Sequence, residues 1–141
     1  MPLCVPLFLI LLATACGPSA PPEPFHGTWK VTRVTAPGAS AAPQAAAAVG
    51  TEARYRPGDA RFGSQSCDDP TYTRRSLSAE TFVDAYSVAP QQLSLTGDPI
   101  AMVDVTCASG SLDAGGTLIL KPDGSMLTMS AGVFYELKKE G

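Results

Sequence analysis

The sequence predicts an all-β or β-dominated fold, namely a small antiparallel barrel or sandwich of seven or eight strands with one or two short helices. Charged residues make up only 16 % of the 141 residues, whereas glycine and proline contribute thirteen each. This balance favours turns and short strands over long amphipathic helices. Segments in which apolar and polar side chains alternate recur along the chain between turn sequences. The length fits one domain with one core.

The first predicted strand covers residues 27–32. Its large apolar side chains, Trp29 and Val31, alternate with polar ones, which is typical of a half-buried strand and places Trp29 in the core. Residues 43–49 are rich in alanine and are followed by Gly50, a combination that predicts a short helix with a glycine cap. A flexible loop is the alternative interpretation of this segment.

A hairpin is expected next, with strands at residues 51–56 and 60–62. The sequence Pro57-Gly58-Asp59 between them is typical of a tight turn. A loop through the acidic pair Asp68-Asp69 leads to a further strand at residues 72–75.

Ser78 is placed to cap a short helix that carries Phe82 and Tyr86 one turn apart on one face. Pro90 is expected to end this helix. Pro122-Asp123-Gly124 predicts a turn between two later strands. The remaining predicted strands are residues 93–95, 100–107, 117–120, 126–129 and 133–137.

The N-terminal segment has the features of an export signal. Residues 3–15 are almost entirely apolar, and thirteen residues fall short of the roughly 20 that span a bilayer. The segment ends in Leu12-Ala13-Thr14-Ala15-Cys16, which resembles the bacterial lipobox, although the basic residue that the family carries near its start is absent here. The resemblance implies a signal peptide at 1–15 and a lipid-modified (palmitate-bearing) Cys16. An ordinary signal cleaved after Ala15, leaving Cys16 as a free thiol, is the alternative.

Residues 16–25 are rich in proline and are expected to form an extended tether between a lipid anchor and the domain at 26–141. Several acyl chains on one cysteine hold a protein at a membrane without a transmembrane helix, because each buried methylene contributes about 0.8 kcal/mol. Gly17, rather than aspartate, follows Cys16. By analogy with enterobacterial sorting, this indicates the outer membrane, with the domain facing the periplasm.

The opening Gly27-Thr28-Trp29 resembles the Gly-x-Trp that starts the first strand of lipocalins. The last predicted hairpin, between residues 116 and 138, is similar to that of lipocalin-like and META-type envelope domains. The resemblance implies a barrel with Trp29 at one end and a cationic residue of the last strand over its ring, for which Lys138 is the expected match. It also makes a small apolar molecule inside the barrel one candidate ligand.

Two of the four cysteines are expected to form a disulfide. Cys4 leaves with the signal and Cys16 is assigned to lipid, so Cys67 and Cys107 remain in an oxidising compartment. A metal or redox pair is the alternative, but these residues lack neighbouring histidine and Cys-x-x-Cys spacing.

A group of arginines is the strongest candidate for a ligand site. Five of the ten basic residues fall within twenty-two positions. Adjacent strands could place several on one face, where they would offer planar donors to a carboxylate or phosphate. A solvated outer face balanced by nearby acidic residues is the alternative. The five are Arg54, Arg56, Arg61, Arg74 and Arg75.

No catalytic, metal or cofactor site is predicted. His26 is the only histidine and is expected to be an exposed linker side chain, and Asp68-Asp69 fits a solvated turn better than a cation site. Asp104 should lie on the face opposite Val103 and Val105, and only an inward-facing carboxylate there would indicate a function.

The leading functional hypothesis is a non-enzymatic binding or structural module of the envelope, held to the membrane by its lipid. Its target would be a small apolar molecule or another envelope protein. The alternative is a proteinaceous inhibitor of lysozyme or of a protease. Nucleic acid is not an expected partner, because the formal net charge is −3.

Overall fold

The computed structural model of this chain describes residues 22–37 and 46–141. These residues form ten strands, one α-helix and one short 3-10 helix, so the fold is β-dominated as the sequence predicts. Helix α1 covers Ala79–Tyr86, and the 3-10 helix covers Pro90–Leu93. The strands are β1 (Gly27–Thr35), β2 (Glu52–Tyr55), β3 (Asp59–Phe62), β4 (Gln65–Asp68), β5 (Thr71–Leu77), β6 (Ile100–Thr106), β7 (Ser109–Gly110), β8 (Thr117–Leu120), β9 (Met126–Ser130) and β10 (Val133–Lys139).

One long hairpin accounts for four of these strands. Its pairing keeps a single antiparallel register, from Cys67 opposite Gly110 to Leu77 opposite Ile100. Strand β4 therefore continues into β5, and β6 continues into β7. If each of these pairs is counted as one strand, the sheet has eight strands. This agrees with the seven or eight strands expected from the sequence.

All ten strands belong to one antiparallel sheet, in the order β5-β6-β8-β9-β10-β1-β2-β3-β4-β7. The long hairpin supplies both end strands of this order, so the sheet curls into a half-barrel whose ends meet at that hairpin. The register of β1 against β10 shifts between Val31 and Arg33, and such an irregularity increases the local twist.

The curled sheet has an apolar layer on each face. The inner layer is one cluster built on Trp29, Tyr55, Leu118, Met126 and Leu137, among others. The outer layer covers only one part of the sheet, where α1 and the segment after it pack against β6, β8, β9 and β10. It consists of Phe82, Val88, Leu93, Leu95, Ile100, Met102, Ile119, Leu127 and Phe134.

Helix α1 begins as predicted. The Ser78 hydroxyl accepts a hydrogen bond of 3.1 Å from the backbone N–H of Thr81, and Phe82 is fully buried beneath the helix. The expected end is wrong, because α1 stops at Tyr86, where Ser87 adopts a left-handed conformation (φ 55°). Pro90 instead begins the 3-10 helix, a position in which its missing N–H costs nothing.

The predicted strand at residues 93–95 is also wrong. Leu93 ends the 3-10 helix and Ser94 has a φ of 56°, yet Leu93 and Leu95 are both buried in the outer layer. The short apolar run therefore reflects packing rather than strand pairing. The other predicted strands are present with slightly different ends, whereas β4 and β7 were not anticipated.

Several predictions fall on residues that the structure does not describe. The signal at 1–15, the lipidation site Cys16 and most of the tether lie outside the described residues. Of the alanine-rich helix predicted at 43–49, residues 43–45 lie outside them, Ala46 is helical, and residues 47–50 form a turn in which Gly50 has a φ of +93°. Phe25, assigned to the tether, is only 2 % exposed and belongs to the inner cluster.

Candidate functional site

The inner face of the half-barrel is filled by the protein's own side chains. Trp29, Tyr55, Met126 and Leu137 are each at most 1 % exposed and pack in one cluster. The Tyr55 hydroxyl donates a hydrogen bond of 3.1 Å to the carbonyl of Gly115, and burial raises the pKa of this phenol strongly. The interior is thus a packed core in which even the tyrosine hydroxyl has a protein partner.

The loop after β7 closes over this interior. The Gly115 N–H donates to the Thr128 hydroxyl at 2.8 Å, and that hydroxyl donates to the Thr117 carbonyl at 2.8 Å. Gly115 has a φ of +90°, and a Cβ there would lie 2.7 Å from the Tyr55 hydroxyl. Only glycine satisfies both conditions, so the loop is fitted closely to the core.

Trp29 lies in the core, as predicted. Its indole N–H donates a hydrogen bond of 3.0 Å to the carbonyl of Phe25. The cation over its ring is Lys139, with Nζ 5.4 Å from the ring centre, and not the expected Lys138. Lys138 is the cross-strand partner of Lys30, whereas Lys139 is opposite Trp29. Period-two alternation from the buried Leu137 would have found the correct residue.

The segment that leads into β1 is docked onto β5. The Phe25 ring lies 5.0 Å from the Tyr72 ring, and the Arg74 guanidinium lies over Phe25 at 5.6 Å from the ring centre. Arg74 also forms an ion pair with Glu23. The chain therefore enters the domain at the Trp29 end, beside β5.

His26 is not the exposed linker residue that the sequence predicted. It is half-buried, its ring lies 5.2 Å from that of Tyr72, and its Nε2 is buried without a hydrogen-bond partner among the described residues. Burial lowers the pKa of His26, and Lys139 acts in the same direction while Glu23 opposes it. Burial also raises the pKa of Tyr72 to about 12.

Two of the five candidate arginines face each other on the outer side of the sheet. Arg54 in β2 is the direct cross-strand partner of Arg61 in β3. An Arg54 Nη2 lies 2.6 Å from a carboxylate oxygen of Asp59, so this charge already has an acidic partner. Glu52 and Gly63 complete a cleft of about 150 Å³ around the two arginines.

The other three do not join them in one site. Arg74 and Arg75 point to opposite faces of β5, because successive strand residues alternate. Arg75 contacts Asp104 through Nε at 2.6 Å and the Tyr86 hydroxyl through Nη2 at 3.2 Å, and these bonds raise the pKa of Arg75. Arg56 is exposed, and its carbonyl accepts a hydrogen bond from the Tyr72 hydroxyl. A five-arginine anion site is therefore not formed.

Asp104 lies on the outer face, where its Arg75 contact makes it a structural ion pair rather than a buried functional carboxylate. Val103 and Val105 are buried on the inner face, as alternation predicts. Within the described residues, no three or more His, Cys, Asp and Glu side chains are grouped as a metal site.

The Cys67–Cys107 disulfide is present, with the two Cα atoms 5.2 Å apart. It links β4 to the residue that follows β6, at the centre of the long hairpin. In the part of the chain that the structure describes, no helix has the length and apolar content needed to cross a bilayer.

Clefts on the described part of the surface include openings of about 230, 150 and 330 Å³. Drug-sized ligands occupy pockets of roughly 300–1,000 Å³ that enclose most of their surface. Two of these clefts are smaller than that range, and the third is an open surface beside the Pro122 turn and the charged end of β10. They offer small molecules little enclosure.

No family model matches this sequence, and comparisons with curated proteins and with solved structures find no match either. Its function is therefore inferred from its own residues and geometry.

Proposed function

We propose that this chain is a lipoprotein of the cell envelope, anchored through Cys16 in the outer membrane and facing the periplasm. Its β domain acts without catalysis, as a module that binds another envelope protein. The packed inner face supports the choice of a protein target, because the described inner side chains are buried against one another and a partner would then be recognised on the outside of the domain. A carrier of small apolar molecules would need the volume that these core side chains occupy.

The geometry at the start of the domain fits an anchored protein. Five residues lie between Cys16 and Pro22, which makes six steps along the chain, and an extended chain covers at most about 3.5 Å per step. The docked Glu23, seven steps from Cys16, would thus lie within about 25 Å of the membrane, with the Trp29 end of the domain nearest to it. The opposite end would be presented to the periplasm.

The surface favours a polar interface over a permanent apolar one. Among the described residues, Val49 and Val83 are the large apolar side chains that are exposed, and they stand apart in the fold, in the β1–β2 connection and in α1. Obligate interfaces resemble a domain core and need broad apolar patches. A partner would therefore be held mainly by hydrogen bonds and ion pairs.

Membrane fractionation tests the anchor. Cys16→Ser should move the protein from the membrane fraction to the soluble periplasmic fraction, whereas the matched variant Cys4→Ser should leave it membrane-bound. Retention of Cys16→Ser in membranes after high-salt washing, with its signal processed, would contradict lipid anchoring.

Native mass spectrometry of the protein extracted in detergent tests the choice of target. The expected mass is that of the lipidated chain, with no further apolar molecule bound. A stoichiometric second lipid that resists delipidation would favour the carrier hypothesis and contradict protein binding as the role.

A further inference from the structure

Among the described residues, strand β5 pairs with a neighbouring strand on one side only. It is an end strand of the sheet and pairs with β6 through seven consecutive residues, from Thr71 to Leu77. The other end strand, β7, is two residues long and contains Gly110. Only β5 is long enough to serve as a template for an added strand.

The orientation of the free backbone groups follows from the next strand along. The N–H of Val105 donates to the carbonyl of Gly116 at 2.9 Å and so points away from β5. Its cross-strand partner Tyr72 therefore turns its own N–H and C=O away from β6. By alternation, the same holds for Arg74 and Ser76.

These outward groups have no backbone partner among the described residues. Arg74 and Ser76 are exposed, and the docked Phe25 packs against the Tyr72 ring within the inner cluster. An unpaired edge of this kind is usually blunted by charged side chains, by proline, by a bulge or by very short length. The β5 segment carries the charged Arg74 and Arg75 but contains no proline, and its register is regular throughout, so its backbone groups remain aligned for pairing.

We infer that the free edge of β5 receives an extended segment of the protein partner, which adds to the sheet as a further strand and places a carboxylate beside Arg74. This inference rests on the proposed function and deepens it. Main-chain hydrogen bonds require an extended peptide, which neither a lipid nor a nucleic acid provides. The available edge spans about five residues, from Tyr72 to Ser76.

Charge identifies the chemistry of that segment. The Arg74 side chain is 51 % exposed, and its contact with Glu23 engages one of the two Nη atoms. A guanidinium offers five N–H donors, so it can bind a second carboxylate. Antiparallel pairing of two copies about Arg74 would bring their guanidinium groups together, and like charges directly opposite are destabilising. The edge therefore favours an acidic partner over a second copy of this chain.

Hydrogen exchange of the full mature domain tests the premise. The Arg74 and Ser76 amides should exchange rapidly, whereas the amides of Thr73 and Arg75, which point to β6, should be protected. Protection of Arg74 and Ser76 in the protein alone would overturn the inference, because the edge would already be covered.

The probe for binding is the blocked peptide acetyl-Thr-Val-Glu-Val-Thr-amide, titrated at millimolar concentration and followed by amide chemical shifts. Saturable shifts centred on β5, with slowed exchange at Arg74 and Ser76, are expected. The same peptide with lysine in place of glutamate should bind more weakly. Equal binding of the two peptides, or shifts centred elsewhere, would overturn the inference.

Ser76→Pro removes an outward N–H but no bond to β6, and proline is tolerated at such edge positions. One lost hydrogen bond of about 1 kcal/mol corresponds to roughly fivefold weaker binding. The matched variant Ser76→Ala should bind like the wild type.

Arg74→Glu, which leaves the backbone intact, should reverse the preference toward the lysine peptide even if the proline variant folds poorly. Unchanged binding by folded Ser76→Pro, or an unchanged preference of Arg74→Glu, would overturn the edge site.

Photo-crosslinking in cells separates this inference from the proposed function. A photoreactive residue at position 76 should crosslink to a partner, whereas one at the exposed Ser66, on β4, should not. A partner captured only from position 66 would overturn the edge site and leave the protein-binding role intact. A crosslinked product of two copies of this chain from position 76 would also overturn the inference.

Discussion

Replacing Trp29 tests the central feature of the core. The indole is 1 % exposed, its N–H donates to the Phe25 carbonyl, and Lys139 lies 5.4 Å from the ring centre. Trp29→Ala leaves a cavity and an unpaired buried carbonyl, so we expect a loss of about 3–5 kcal/mol in the free energy of unfolding. Small domains have only about 5–15 kcal/mol in total, so much of the population would unfold.

Two milder variants divide this loss into its parts. Trp29→Phe keeps an aromatic ring but removes the N–H donor. We expect it to lower the free energy of unfolding by about 2 kcal/mol, because the Phe25 carbonyl loses its partner and the ring is smaller. Lys139→Met keeps the apolar stem and removes the charge, so it should lower the free energy of unfolding by about 0.5–1 kcal/mol. The double variant Lys139→Met/Trp29→Ala should lose less free energy of unfolding than the two single variants added together, because in Trp29→Ala the Lys139 charge no longer has a ring to contact.

Urea denaturation followed by far-UV circular dichroism measures these differences without relying on tryptophan emission. In the wild type, the single tryptophan should emit at short wavelength and shift to the red on unfolding. The reasoning about the core would be refuted by a water-exposed native spectrum together with a Trp29→Ala variant within about 0.5 kcal/mol of the wild type, the range typical of surface substitutions.

Three further predictions concern the disulfide and two titrating groups. Replacing Cys67 and Cys107 together by serine should cost roughly 4 kcal/mol in the chain-entropy model, measured by urea denaturation, and alkylation of two thiols in the unreduced protein would contradict the bond. The folded pKa of Tyr72, about 12, lies above its ordinary value of 10, so stability should be constant below pH 10 and fall as the pH rises toward 12. Tyrosinate absorbance and melting curves check this, and Tyr72→Phe should weaken the fall. The folded pKa of His26 lies below its ordinary value of 6.5, so stability should decline as the pH falls through 6.5. An NMR titration midpoint at or above 6.5 would contradict the burial of His26.

The individual strands and the helix were largely predictable, because their signals are local. Alternation around Trp29 and Val31 defines β1, and Ser78 with Phe82 defines α1, each within a few residues of sequence. The disulfide followed from elimination, since the other two cysteines have expected roles in the signal and anchor. Local patterns misled where burial came from non-strand packing, as at Leu93 and Leu95.

The candidate sites depended on contacts between distant segments. Whether neighbouring arginines share a face is set by strand register, which gives Arg54 and Arg61 one face and separates Arg74 from Arg75. His26 is half-buried because β5 lies beside the first residues of the domain. This contact joins segments far apart in the chain, so sequence spacing does not predict it.

By itself, the sequence determined a β-dominated domain, its two disulfide cysteines and its core tryptophan, because composition, alternation and elimination act over short stretches of chain. Only the tertiary structure decided that the inner face is packed, that Lys139 covers Trp29, and that β5 is an end strand among the described residues. Each of these depends on which strands become neighbours and in what register. Non-local pairing sets both, and a one-residue change in register moves every side chain of a strand to the other face.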